Sequence, residues 1–170
     1  MSENVHDGLI HVSDDIQLGY RLYKHQAEAP LILYFHGNGE IASDYDSLAS
    51  QFHKIGAALI VVDYRGYGWS TGNPKASALL SDAEVVCNQL DTILAEANFK
   101  PSALYLMGRS LGSAPSIHAA HRYPKMFKGL IIESGFAGAL PLLARMGLPK
   151  MLLEKVRDPI QNLEKMREIN

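Results

Sequence analysis

The sequence has little cysteine, no long apolar run and no excess of charge. Cys87 is the only cysteine among the 170 residues, so no disulfide can form within the chain, and a reducing compartment is the simpler inference. Its apolar neighbours indicate an inert core thiol. No apolar stretch approaches the length of a membrane span, and residues 1–7 are polar, without a signal-peptide core. We therefore expect a cytoplasmic protein without a membrane span.

Charge and motif content exclude several classes of ligand. The formal net charge is −2 and the basic residues are spread along the chain, which gives no electrostatic signature of nucleic-acid binding. Gly66-x-Gly68 follows a strand-like run, but Thr71 occupies the third glycine position of a dinucleotide fingerprint. There is no Gly-Lys-Ser/Thr of a P-loop, and no His/Cys/Asp cluster has metal-ligand spacing. The sequence predicts no cofactor, no metal and a small-molecule partner.

The order of apolar segments predicts one α/β domain. Apolar residues make up 47% of the chain and charged residues 20%, as in ordinary globular proteins. Residues 9–13 and 16–23 read as an antiparallel hairpin. After it, apolar strands alternate with amphipathic helices, which is typical of a mostly parallel, doubly wound sheet of about six strands. The predicted strands are 31–35, 58–63, 103–107 and 129–132; the predicted helices are 42–55, 75–97 and 113–123, and residues 137–169 look helical with breaks.

The most informative motif is Gly-x-Ser-x-Gly around Ser110. It lies between an apolar strand-like run and a helix-like run, which is the setting of a nucleophile elbow. A tight turn there exposes the Ser110 hydroxyl, and Gly108 and Gly112 leave room for strand and helix to approach closely. The start of the helix offers free N–H groups to a developing oxyanion. The motif predicts Ser110 as a nucleophile.

Polar residues follow the other predicted parallel strands. The carboxyl ends of parallel strands share one edge of a sheet, where ligands bind. His36 to Glu40 follows the first of these strands, and Gly37 and Gly39 would let backbone N–H groups come close to a carbonyl oxygen. Asp63 and Glu133 occupy two further strand ends. This topology predicts that these segments meet Ser110 at one edge.

Four motifs together resemble a known superfamily. They are Tyr-Phe-His-Gly-Asn-Gly-Glu at 34–40, Val-Asp-Tyr-Arg-Gly-Tyr-Gly-Trp-Ser-Thr-Gly at 62–72, Gly-Arg-Ser-Leu-Gly at 108–112 and Ile-Ile-Glu-Ser-Gly-Phe at 131–136. In this order they resemble the α/β-hydrolase superfamily, and within it the small serine hydrolases of the bem46-like and ABHD types. The resemblance runs from about residue 9 to the end of the chain.

The resemblance implies hydrolysis of a carboxylic ester or thioester through an acyl-serine, without a cofactor. Ser110 would be the nucleophile, and the N–H of Leu111 one oxyanion donor. The second donor would be Asn38, or less favourably Gly37. Arg109 would pair with a substrate carboxylate or with Glu133. In addition, Trp69 is a candidate for the acyl pocket, and residues 137–157 lie where the superfamily often inserts a lid.

The resemblance also implies that part of the catalytic triad is missing. The triad runs Ser, Asp/Glu, His in chain order, and the usual acid and His of this family would follow strands that begin past Asn170. Residues 1–170 are thus expected to form a truncated domain without the last two strands. Within the chain, His36 and Glu133 are the candidate substitutes, each with a structural alternative. His118 and His121 lie about 12 and 16 Å along the helix from Ser110.

A non-enzymatic alternative remains open at this point. A truncated, inactive hydrolase could serve as a binding or interaction module. Its strand 129–132 would then be a bare sheet edge, and such edges recruit other strands. This predicts homo-oligomers or pairing with a separate C-terminal segment.

Overall fold

A computed structural model of the protein describes residues 4–139 and 158–169, which contain six strands in one sheet. The strands are β1 (Val5–Ser13), β2 (Ile16–Tyr23), β3 (Leu31–Phe35), β4 (Ala58–Val62), β5 (Leu104–Arg109) and β6 (Leu130–Glu133). Their order across the sheet is β1-β2-β4-β3-β5-β6. The β1–β2 and β2–β4 pairs are antiparallel, and all other pairs are parallel.

The helices cover both faces of this sheet. They are α1 (Ala49–Lys54), α2 (Leu79–Glu96), α3 (Ser113–Arg122) and α4 (Asn162–Glu168), with 3₁₀ turns at Ala42–Asp46, Ala76–Ala78 and Ser110–Gly112. Strand β3 is buried along its whole length. Its side chains alternate between the two faces, so Leu33 joins an apolar cluster with α2 and α3, and Tyr34 joins one beside α1. The central strands are therefore apolar throughout.

The predicted mostly parallel, doubly wound sheet of about six strands is confirmed, with differences at element ends. Strand β1 starts at Val5 instead of residue 9, because its pairing with β2 continues as far as Tyr23. The predicted helix 42–55 is divided into a 3₁₀ turn and the short α1. The Asp63 carboxylate accepts the Ala42 N–H at 2.7 Å, and this bond anchors the turn to the end of β4.

Cys87 lies buried on α2, and burial raises the pKa of its thiol to about 12. No described helix is both long enough and apolar enough to span a membrane. Residues 140–157 lie outside the described ranges, so the expected lid stays an expectation.

Candidate active site

Ser110 stands at the sharp turn between β5 and α3. Its φ is +50°, in the left-handed region, and its side chain is exposed. A non-glycine residue in this region costs about 1–2 kcal/mol, so the surrounding structure must hold it there. The turn lies directly at the carboxyl end of β5. This is the local geometry that the Gly-x-Ser-x-Gly motif predicts.

The two glycines of the motif permit the close packing of the turn. A Cβ at Gly108 would collide with the Gly112 carbonyl oxygen and with Ser116 Oγ. A Cβ at Gly112 would collide with the Phe35 carbonyl oxygen at the end of β3. Gly112 is needed for space and not for its conformation, since its φ is −63°. The turn at Ser110 therefore rests directly on the end of β3.

His36 orients the loop that follows β3. It is fully buried, and its Nδ1 donates to the Gly37 carbonyl at 2.8 Å. A carbonyl accepts only, so the proton of this bond is on Nδ1. In a planar trans peptide the N–H points opposite to the C=O. The Asn38 N–H is thus turned away from the buried ring of His36.

The loop after β3 and the turn at Ser110 contain the candidate oxyanion donors, which are the backbone N–H groups of Gly37, Asn38 and Leu111. The Gly37 N–H is donated to Glu40 Oε2 at 3.0 Å and has a partner. By contrast, the Asn38 N–H has no acceptor among residues 4–139 and 158–169. Leu111 is the second residue of the 3₁₀ turn, where the N–H has no partner within the turn. Asn38 and Leu111 line the same cavity.

This cavity has a volume of about 200 Å³. Arg65 and Asp82 in its wall form a two-point ion pair at 2.7 and 2.6 Å, and this pairing raises the pKa of Arg65. The Tyr67 hydroxyl donates to Asn38 Oδ1 at 2.6 Å and fixes the Asn38 side chain at the rim. The other lining residues are Tyr64, Pro74, Lys75, Ala76, Leu79 and Leu111.

His36 and Asp63 form a buried pair beneath the loop. His36 Nε2 lies 3.3 Å from Asp63 Oδ1, without the alignment of a hydrogen bond, and both side chains are fully buried. The His36 ring packs against Tyr64 with 4.4 Å between ring centroids. Both ring nitrogens therefore face groups other than Ser110. This arrangement gives His36 a bracing position beneath the loop, and its role as a candidate base stays a prediction.

Arg109 pairs with two carboxylates. Its Nη1 donates to Glu40 Oε1 at 2.8 Å, and its Nε lies 3.4 Å from Glu133 Oε1. The two carboxylates raise the pKa of Arg109. The sequence left open whether Arg109 pairs with a substrate carboxylate or with Glu133. In the structure it pairs with Glu133 and also with Glu40. Glu133 stands beside Arg109 in the parallel register of β5 and β6.

No histidine in the described part of the chain makes a hydrogen bond to the Ser110 hydroxyl, and all seven histidines lie in that part. His118 Nε2 lies 2.7 Å from Glu84, and His121 Nε2 lies 2.6 Å from Glu168. Burial lowers the pKa of His118, and the Glu84 carboxylate opposes this only in part.

The Trp69 side chain packs against β2 and does not line the cavity. Its indole covers Gly19, and the Arg21 guanidinium is 5.4 Å from the ring centroid. Within residues 4–139 and 158–169, no group of three or more His, Cys, Asp or Glu side chains could hold a metal ion.

The fold and this turn define an α/β hydrolase. Strands β3, β4 and β5 present the His36 loop, the Asp63 loop and Ser110 at one sheet edge, in the order of this superfamily. A family model described as serine aminopeptidase, S33, matches residues 26–164. The chain therefore belongs to this family of the α/β-hydrolase superfamily.

Curated relatives match most of the chain. An uncharacterized protein of Acanthamoeba polyphaga mimivirus is 33% identical over 144 residues, which are 79% of this chain and 47% of the relative. The α/β hydrolase domain-containing protein WAV2 of Arabidopsis thaliana is 29% identical over 118 residues, 69% of this chain and 37% of the relative. The chain spans about half the length, or less, of these relatives.

Solved structures share the fold. A CIB-like hydrolase of Thermoplasma acidophilum matches with a TM-score of 0.57 and 24% identity, over 77% of this chain and 63% of that one. A probable hydrolytic enzyme of Pseudomonas aeruginosa matches with a TM-score of 0.64 and 19% identity, over 85% of this chain and 45% of that one.

Glu40 and Tyr45 are two residues of the site that the sequence motifs did not indicate. The Tyr45 hydroxyl donates to Glu40 Oε2 at 2.6 Å, and Glu40 also binds Gly37 and Arg109. The only signal in the sequence is an acidic residue that directly follows a glycine-rich loop, and such residues are usually solvated. Their convergence depends on the pairing of β3 with β5.

Proposed function

We propose that the protein is a serine hydrolase that cleaves a carboxylic ester or thioester through an acyl-serine. Ser110 Oγ attacks the acyl carbonyl, and the new oxyanion accepts hydrogen bonds from the N–H groups of Asn38 and Leu111. The alcohol or thiol then leaves with a proton, and water hydrolyses the acyl-serine. The observation that carries this proposal is an exposed, left-handed Ser110 directly before Leu111, together with the cavity that Leu111 and Asn38 both line.

The base of this reaction is proposed to come from outside residues 1–170. A serine hydroxyl needs a neighbouring base to be a good nucleophile at neutral pH. Each of the two histidines on α3 is paired with a glutamate, and His36 is enclosed in the core. The curated relatives are about twice as long as this chain, which leaves room in such proteins for the acid and the His.

The test of this proposal is whether a boronic acid forms an adduct that depends on Ser110. Butylboronic acid adds to a serine oxygen through boron with release of the hydroxyl proton to water. The product is an anionic, tetrahedral boronate, and one of its boron-bound hydroxyls takes the place of the oxyanion of the transition state. In ¹⁵N-labelled protein, we expect butylboronic acid to shift the amide resonances of Leu111 and Asn38, and Ser110→Ala to remove both shifts. Shifts that persist in S110A would contradict the assignment of the nucleophile.

We also propose that the cavity beside Leu111 holds the acyl chain. Its volume of about 200 Å³ lies below the range of about 300–1,000 Å³ of pockets for drug-sized ligands, so it suits a short acyl chain. Arg65 and Asp82 neutralise each other, and the remaining charged lining residue, Lys75, is exposed at the cavity. Substrates with short acyl chains are therefore favoured over long ones.

A series of alkylboronic acids tests the cavity. Affinity is expected to rise about fourfold for each buried methylene, from propyl to about hexyl, and then to stop rising. Leu79→Trp should fill the cavity and remove this dependence on chain length. Leu48→Trp is the matched control, because Leu48 is exposed on the segment before α1. An affinity that increases steadily through decyl, unchanged in L79W, would disprove this location.

The free edge of β6 is proposed to accept a second copy of the chain when the chain is alone. Among the described strands, β6 pairs only with β5, and Ile131 on it is 45% exposed. Unpaired strand edges recruit other strands, and charged side chains discourage this. Light scattering should show association that grows with concentration and weakens in Ile131→Lys. A monodisperse monomer across the micromolar range would contradict this expectation.

A binding module without catalysis is the second candidate function. The observation that favours it is that no described histidine reaches Ser110. In this case the elbow and cavity would bind an acyl compound without turning it over.

A further inference from the structure

Glu40 connects the two halves of the candidate active site. Its carboxylate accepts the Gly37 N–H at 3.0 Å and the Tyr45 hydroxyl at 2.6 Å. Its other oxygen accepts Arg109 Nη1 at 2.8 Å. Gly37 belongs to the loop that carries one oxyanion donor, and Arg109 is the residue before the nucleophile. One side chain therefore binds both segments.

These bonds determine which N–H of the loop is free. Because Glu40 occupies the Gly37 N–H, that group cannot serve a substrate oxygen. The Glu40 N–H in turn donates to the Gly37 carbonyl at 3.4 Å and closes a tight turn, in which Gly39 has a φ of +81°. With the Gly37 carbonyl also held by His36, the peptide plane is fixed from both sides. The Asn38 N–H is left pointing outward.

The negative charge of Glu40 is stabilised by the groups that surround its carboxylate. Its side chain is only 24% exposed, and this burial opposes ionisation. Hydrogen bonds from Tyr45 and from the Gly37 N–H, with the charge of Arg109, outweigh the burial and lower the pKa of Glu40. The carboxylate is therefore ionised at neutral pH, and Arg109 limits its repulsion of a nearby oxyanion.

From this geometry we propose that Glu40 is a positioning residue: it holds the Asn38 N–H toward the oxygen that becomes negative when Ser110 attacks. This role rests on the proposed hydrolase function. It acts through the loop, and Glu40 itself does not touch the reacting atoms. Positioning of donors matters because a misplacement of about 1 Å can cost on the order of 10²-fold in rate.

Butylboronic acid tests this role through amide resonances and affinity. In Glu40→Ala, the Asn38 amide shift on binding should disappear, the Leu111 shift should remain, and affinity should fall about tenfold. Glu40→Gln keeps one amide oxygen, which can accept from both Gly37 and Tyr45, and loses the acceptor of Arg109. It should therefore restore affinity to within about threefold of wild type. A merely structural role would weaken the Leu111 and Asn38 shifts together.

The controls separate the possible failures. Glu84→Ala removes another partly buried, paired glutamate far from the loop, and should leave both shifts unchanged. If E40A does not fold, Tyr45→Phe removes one bond to Glu40 and should lower affinity about threefold. If E40A binds butylboronic acid with the affinity of the wild type and an unaltered Asn38 shift, the Glu40 proposal alone is overturned. If E40A does not fold, the same result in Y45F has this meaning. No shift in wild type would overturn the proposed function.

Discussion

Replacing Ser110 with alanine is expected to lower kcat/KM for p-nitrophenyl butyrate by about 10³-fold or more when a histidine base is present. The hydroxyl is the only group at the turn that can form the acyl bond. Oxyanion donors and the cavity remain in the variant, so some acceleration over water remains too. Spectrophotometric release of p-nitrophenol measures the loss.

Ser134 offers a matched control for this experiment. It is also exposed, with a φ of +51°, and it follows the neighbouring parallel strand β6. It differs because no described helix begins directly after it, so it lacks the adjacent free N–H groups of a helix start. Ser134→Ala should leave turnover unchanged. Equal loss in S134A and S110A would contradict the special role of the elbow.

Turnover by the 170-residue chain alone should show whether the catalytic base lies within residues 1–170. Equal, near-background turnover in wild type and S110A, with a Ser110-dependent boronic acid adduct, supports a base from outside residues 1–170. Turnover that S110A removes would mean that a base exists within the chain or across a dimer, and would overturn the external base. His36→Ala and Glu133→Ala would then be the variants to measure.

Gly112→Ala is expected to have the largest effect on stability, a loss of about 3 kcal/mol in the free energy of unfolding. The added Cβ would overlap the Phe35 carbonyl oxygen and lie 2.9 Å from that of His36. Both are backbone atoms at the end of the central strand β3, which has a paired strand on each side and cannot yield easily. Urea denaturation measures the loss.

Gly56→Ala separates packing from backbone conformation. Gly56 has a φ of +80°, and no atom lies within 4 Å of the place that a Cβ would occupy. Alanine there therefore costs only about 1–2 kcal/mol of left-handed strain. Gly112 has an ordinary helical φ, and its cost comes from collision alone. If G112A were less destabilising than G56A, the tight contact between elbow and β3 would be disproved.

The architecture and the sharp turn at Ser110 could both be predicted from local sequence patterns. Apolar runs at 31–35 and 58–63 indicate buried strands between helices, because both of their faces must be covered. Ser110 could be identified because an elbow is a local structure: five residues between a strand and a helix contain its steric requirements. His118 and His121 lie on the helix that follows Ser110, so the rise of the helix alone indicates that they are too far from Ser110 to act as its base.

The assembly of the site, by contrast, depends on contacts between distant segments. The pairing of β3 with β5 brings Phe35 against Gly112 and Glu40 against Arg109, which are 69 positions apart in the chain. The fold also directs Trp69 onto β2 and away from the cavity. Such contacts follow from strand order and from side-chain direction across the sheet. A linear pattern records neither, and so the partners of Glu40 could be found only in the folded chain.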